Sequence, residues 1–157
     1  MKVKKILFVC LGNTARSPAA EYLARDYAKK NNLDFQFQSA GFFNAFSYMQ
    51  PESREYLESK GISHNDFQPQ IINRKLLEEQ DLILTMESEH KRDITKNFNN
   101  VSNIQNKVFT LKEFNGEQTD IDIIDPYYAS KKMYQKILTI IDENIEKALK
   151  KITKMNQ

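Results

Sequence analysis

A short apolar run, Val3 to Val9, breaks off into Cys10-Leu11-Gly12-Asn13-Thr14-Ala15-Arg16, and Ser17-Pro18 then opens a helical pattern. No other feature constrains the fold as tightly. The run is rich in β-branched and aromatic residues and reads as a buried strand. Ser17 reads as an N-cap and Pro18 as the first helical residue. Ala20, Leu23, Ala24, Tyr27 and Ala28 then recur at helical spacing and give that helix one apolar face.

The same alternation continues downstream. Asp34 to Ser39 sets Phe35 and Phe37 against Gln36 and Gln38, the pattern of a half-buried strand, and Ala40-Gly41 ends it. Pro51 opens a second helix and Lys60-Gly61 closes it. Asn73 to Glu79 reads as a short helix, and Asp81 to Thr85 as a strand covered on both faces. Glu87 to Lys96 reads as a helix and Lys107 to Thr110 as a short strand. The last helix runs from Lys131 to Lys151, with Ile137, Ile140, Ile141, Ile145, Ala148 and Ile152 on one stripe. This order predicts an α/β fold, a single three-layer αβα domain over residues 1–157. Its centre is a four-stranded parallel sheet with helices on both faces. Ligands of such sheets sit beyond the carboxyl ends of the strands, which is where Cys10 to Ser17 falls.

Composition removes several alternatives. The chain has 157 residues, the length of one domain. Its 23 Lys and Arg against 21 Asp and Glu leave a net charge of +2, which argues against a nucleic-acid binder or a polybasic membrane anchor. One cysteine excludes an internal disulfide framework and a cysteine-rich zinc site. No apolar run reaches the roughly 18 residues of a membrane span, and Ile6-Leu7-Phe8-Val9 is too short for a signal-peptide core. The expectation is a cytoplasmic enzyme or binding domain, with export by a route without a signal peptide as the alternative.

Between a strand and a helix N-terminus, backbone N–H groups converge and the helix dipole adds about half a positive charge, a cradle for a tetrahedral oxyanion. Arg16 adds a planar fork that can grip two phosphate oxygens. Gly12 suits a tight turn, and Asn13 a left-handed conformation or a bracing side-chain contact. Thiols at helix N-termini beside cations ionise well below their ordinary range, so Cys10 is expected as a thiolate at neutral pH. A lone cysteine is more often a small buried hydrophobe. Arg six residues later, followed by Ser-Pro, points instead to a nucleophile aimed at phosphorus.

The string CLGNTARSPAAE, SAG at Ser39 to Gly41, DLILTMESEHKRDI from Asp81 to Ile94, and DPYY at Asp125 to Tyr128 together resemble the low-molecular-weight protein-tyrosine-phosphatase family over nearly the whole chain. The resemblance implies that Cys10 attacks the phosphoryl group to form a phosphocysteine, and that Arg16 and the amides of Leu11, Gly12, Asn13, Thr14 and Ala15 bind the phosphate oxygens. It implies that Ser17 stabilises the sulfur as a leaving group, that Asn13 shapes the loop with Ser39 as its bracing partner, and that Asp125 is general acid and then base on a loop stiffened by Pro126. Tyr127 and Tyr128, with Leu11, would flank the substrate ring. The expected reaction is hydrolysis of phosphotyrosine in proteins, with no cofactor and no metal. The expected partners are phosphotyrosine proteins, a tyrosine kinase among the candidates, and inorganic phosphate is the product.

The chain also departs from the family. Ala15 stands where many members carry a second cysteine, so an oxidised Cys10 has no resolving partner. Thr14 stands where many carry Ile. In the related phosphoarginine phosphatases a Thr there helps select the substrate, which makes a protein phosphoarginine phosphatase the alternative. Trp is absent, leaving Phe42, Phe43 or Phe46 for the rim, and the usual His is missing from Asp66-Phe67-Gln68-Pro69-Gln70. His64 and His90 read as surface residues. A thioredoxin-coupled arsenate reductase would need further cysteines. A cysteine phosphocarrier would lack the Arg and the acid, and a non-catalytic phosphotyrosine-binding module would not need all three groups.

Overall fold

A computed structural model describes residues 2–157. Eleven elements follow in chain order: β1 (Lys5–Val9), α1 (Arg16–Lys30), β2 (Gln36–Ala40), α2 (Pro51–Ser59), α3 (Arg74–Glu78), β3 (Leu82–Thr85), α4 (Ser88–Asn97), α5 (Ile104–Lys107), β4 (Val108–Thr110), α6 (Leu111–Phe114) and α7 (Lys131–Met155). The four strands form one parallel sheet in the order β2-β1-β3-β4.

The strands are short because each needs only enough apolar residues to cross a core covered on both sides. Along β1 the side chains alternate between two cores. Ile6 and Phe8 pack with α1, α2, α6 and α7, among them Ala20, Leu57, Leu111 and Ile141. Leu7 and Val9 pack with α3, α4 and α5 through Leu77, Ile94 and Ile104. The predicted three layers are therefore present. On α7 the buried face carries Ile137, Leu138, Ile141, Ile145, Leu149 and Ile152, while Ile140 is only partly covered. Each such side chain contributes about 1.5–3 kcal/mol by leaving water. No helix of the described residues is long and apolar enough to cross a membrane.

Two local readings are corrected and one element is added. Helix α1 begins at Arg16 with Ala15 at its N-cap position, and no side chain caps it; Ser17 lies inside the helix with its hydroxyl engaged elsewhere. Lys107 closes the one-turn helix α5 and does not open a strand. Its ammonium is drawn inward to the carbonyls of Leu77 and Gln80, 2.9 and 3.0 Å away. A second one-turn helix, α6, starts on a capping box formed by Thr110 and Glu113.

Register places the site. Val9 pairs with Ala40 on one side and Thr85 on the other, so the carboxyl ends of the strands are level. Cys10 leaves that edge with its N–H donating to the Ala40 carbonyl at 3.3 Å.

Candidate active site

Cys10 is 2% exposed, at the point where β1 turns into the loop. The Ser17 N–H points at its Sγ at 3.4 Å, and the Ser17 Oγ lies 2.9 Å from the same sulfur. The Asn13 side chain donates to that Oγ at 2.9 Å, which leaves the Ser17 hydroxyl hydrogen free to face the sulfur. Two hydrogen bonds can thus reach a sulfur anion, and this engagement is why Ser17 does not cap its helix.

Asn13 takes up a left-handed backbone (φ 53°) and also accepts from the Gln70 N–H at 3.0 Å through Oδ1. Both anticipated uses of Asn13, conformation and bracing, occur together. The brace is Gln70: the Ser39 hydroxyl donates to buried Glu21 at 2.5 Å and does not meet Asn13, while Ser39 contributes its carbonyl to the Gln70 side chain at 3.0 Å. Gly12 is required for close approach and not for a turn, since a Cβ there would stand 2.7 Å from the Ala45 Cβ. A Cβ on Gly41 would fall 2.7 Å from the Asn13 nitrogen, so the end of β2 can lie against the loop only without a side chain.

The loop carbonyls are held outward. The Phe42 N–H donates to Leu11 O at 2.7 Å and the Gln50 N–H to Thr14 O at 2.8 Å. A trans peptide plane carries its N–H opposite its C=O, so these contacts turn the amides of Gly12 and Ala15 toward the other side. Together with the N-terminus of α1 they can hold an oxyanion.

Arg16 is 1% exposed, unusual for a guanidinium, and is fully paired on one nitrogen. Nη1 donates to Glu87 and, at 2.6 Å, to the Ile123 carbonyl. Nη2 lies 3.7 Å from the Asp125 carboxylate. The remaining N–H edge is the fork that can take two oxygens of one phosphate. Glu87, at the N-cap of α4, is a site residue that the sequence reading missed.

His90 is buried, not a surface residue. Its Nε2 lies 3.6 Å from the Glu87 carboxylate, its ring is 5.5 Å from that of Phe42, and its buried Nδ1 has no hydrogen-bond partner among the described residues. Burial, then the Arg16 charge, push its pKa below the ordinary 6.5. An unfolded chain therefore takes a proton at His90 that the folded one refuses. The stability that neutral His90 allows is present above about pH 6.5 and is lost as pH falls below it. Denaturant melts at pH 5.5 and 7.5 should show a larger acid loss for the parent than for a His90→Asn variant. His64, by contrast, is half-buried and meets Glu58 at 2.9 Å, away from the site.

Cys10, Leu11, Gly12, Thr14, Ala15, Arg16, Asp125, Tyr127 and Tyr128 line one cavity of about 750 Å³. Asn13 and Ser17 stand behind the loop. Asp125 accepts from the Tyr127 N–H at 3.0 Å, and the Ala129 N–H closes the turn onto Pro126 O at 2.9 Å. Tyr128 is 95% exposed and Tyr127 56%, which excludes a core role for either. The Tyr127 ring stacks on Phe46 with centroids 6.1 Å apart, and Phe43 completes the wall, while Phe42 turns inward to His90. Tyr134, Gln50 and Glu52 also line the cavity and were not anticipated.

A parallel sheet ending in an oxyanion cradle over a cysteine, with an acid loop beside it, defines a class of cysteine-dependent phosphatase. The chain belongs to that class as a member of the low molecular weight phosphotyrosine protein phosphatase family, whose model matches residues 5–157. It is 34% identical to a protein-arginine-phosphatase of Bacillus subtilis, over 95% of this chain and 97% of that one. It is 36% identical to the low molecular weight protein-tyrosine-phosphatase PtpB of Staphylococcus aureus, over 83% of this chain and 86% of that one. Among solved structures it resembles a YwlE mutant from Bacillus subtilis, with a TM-score of 0.86, 32% identity, and coverage of 96% of this chain and 99% of that one.

Proposed function

We propose that this chain hydrolyses phosphotyrosine in proteins through a phosphocysteine. The observation that carries the reading is the convergence of Cys10, Arg16 and Asp125 on one cavity walled by Tyr127 and Phe46. The Cys10 thiolate attacks phosphorus while the ester P–O bond breaks, and Asp125 gives its proton to the departing phenolate oxygen. Asp125 then takes a proton from water as that water attacks phosphorus. The S–P bond breaks and inorganic phosphate leaves with the thiolate restored. The Arg16 fork and the loop amides match the equatorial oxygens as charge spreads over them. Ser17 stabilises the sulfur when it departs, Asn13 and Gln70 hold the loop's shape, and Pro126 stiffens the acid loop. Neither metal nor cofactor enters these steps. Residues 1–157 act as one domain, supported by the single sheet with its two cores. The reading places the enzyme in the cytoplasm, where a lone thiol stays reduced, with a tyrosine kinase among its substrate proteins.

A second reading, hydrolysis of phosphoarginine in proteins, is favoured by Thr14 in the loop and by the 34% identical arginine phosphatase. Glu52 and Asp125 both line the cavity and could accept from a guanidinium. The deciding experiment compares kcat/KM on phosphotyrosine and phosphoarginine peptides, for the parent and for Thr14→Ile. Higher turnover of the phosphotyrosine peptide is expected, and a clear excess for phosphoarginine overturns the first reading. On the phosphotyrosine peptide Asp125→Asn should lower kcat by roughly 10²–10⁴-fold. The loss should be smaller with p-nitrophenyl phosphate, whose leaving group needs less protonation; equal losses would remove Asp125 from the acid role.

A further inference from the structure

We infer that Ser53 and Tyr134 are positioning residues that set the orientation of the Ala15–Arg16 peptide in the phosphate-binding loop; this rests on the reading of that loop proposed above. Ser53 is fully buried in the first turn of α2, and its Oγ donates to the Ala15 carbonyl at 3.0 Å. A carbonyl can only accept, so this contact uses the one hydrogen of the serine. The Tyr134 hydroxyl, 2.8 Å from the same Oγ, must then be the donor in that pair. The relay has one direction: Tyr134 O–H to Ser53 O–H to Ala15 C=O. Burial pushes the Tyr134 pKa up, so the phenol keeps the proton it donates across the neutral range.

The relay is tied to phosphate binding through peptide geometry. Arg16 is the first residue of α1, so its N–H has no partner within the helix. Fixing the Ala15 carbonyl outward directs that N–H the opposite way, as the Phe42 and Gln50 amides do for the Gly12 and Ala15 N–H groups. Those two ties run between backbone atoms. Ala15 O, as the N-cap carbonyl, also heads the first intrahelical bond of α1; the second tie on it runs through side chains, delivered by the first turns of two helices that sit far apart in the sequence. Tyr134 also lines the cavity, one turn into the helix that follows the acid loop. The same pair therefore links the phosphate-binding loop to the helix that follows the acid loop.

The test uses Ser53→Ala, Tyr134→Phe and the double variant. Readouts are kcat and KM on p-nitrophenyl phosphate, inhibition by vanadate, inorganic phosphate binding by calorimetry, and Tm. An amide aimed at oxygens that gain charge matters most in the transition state. Ser53→Ala should therefore weaken vanadate inhibition by about tenfold or more and lower kcat/KM to match, with a smaller loss of phosphate affinity. The double variant should be no worse than Ser53→Ala alone, because the two hydroxyls act in series. Vanadate inhibition within twofold of the parent in Ser53→Ala overturns the assignment. So does additive loss in the double variant, or losses in both ligands that merely track a fall in Tm. A parent that binds phosphate without turning over substrate would overturn the hydrolase reading instead, and the relay would then stand or fall on the Ser53→Ala change in phosphate affinity.

Discussion

Cys10→Ser is expected to abolish turnover of p-nitrophenyl phosphate, by on the order of 10⁴-fold or more, while inorganic phosphate still binds. A serine hydroxyl needs a base to become a nucleophile, and neither histidine is placed to serve as one. The hydroxyl nearest the sulfur is Ser17, itself a donor partner for it. His90 is turned to Glu87 behind the Arg16 guanidinium, and His64 is paired with Glu58 elsewhere. The proposed anion cradle, by contrast, consists of backbone amides and Arg16, none of which the substitution removes. Calorimetry with phosphate should give an affinity close to the parent's. Residual turnover within tenfold of the parent would overturn the assignment of Cys10 as nucleophile.

Arg16→Lys should lose about 10²–10³-fold in kcat/KM, although the charge is kept. In the proposed reading Arg16 has two roles at once. Its Nη1 is tied to Glu87 and the Ile123 carbonyl, and the opposite edge faces the place where phosphate oxygens would lie. A lysine ammonium is a compact point charge without a fork. It can satisfy the Glu87 side or the phosphate side, but it cannot span both. Vanadate should weaken in step with kcat/KM, and a lysine variant with activity within tenfold of the parent would remove the bidentate argument.

Strands β1 and β3 were readable from local pattern because each is a self-contained apolar run: Leu82-Ile83-Leu84 is covered on both faces wherever it packs. Cys10, Arg16 and the loop between them were readable because strand end, cradle and helix start are contiguous. Glu87 was not, for its partner lies 71 residues away and acidic residues at helix starts have an ordinary local explanation. Ser17 misled for a related reason: the residue type that caps a helix is also the type that donates to a sulfur, and only the fold shows which is in force. Ser39 was expected to brace Asn13 but turns to Glu21, a buried carboxyl whose pKa is raised by its desolvation. His90 sits on a polar-looking helix, and nothing in its neighbours along the chain announces that Phe42 and Glu87 will enclose it. The one-turn helices α5 and α6 have 4 residues each, barely one helical period, so no pattern repeats within them.

The ties from Phe42 and Gln50 to the loop have a consequence for how such an enzyme can diversify. Both are made by main-chain nitrogen, which every residue except proline supplies. The stretch between them, including Phe43, Ala45 and Phe46 on the cavity wall, can therefore exchange most of its side chains and acquire a new clientele while the reaction chemistry beneath is left undisturbed. Ala45 and Met49 are the exceptions, since growth at Ala45 would press on Gly12 and Met49 is buried in the core. Selectivity and reactivity are in this sense separately heritable within a single short segment.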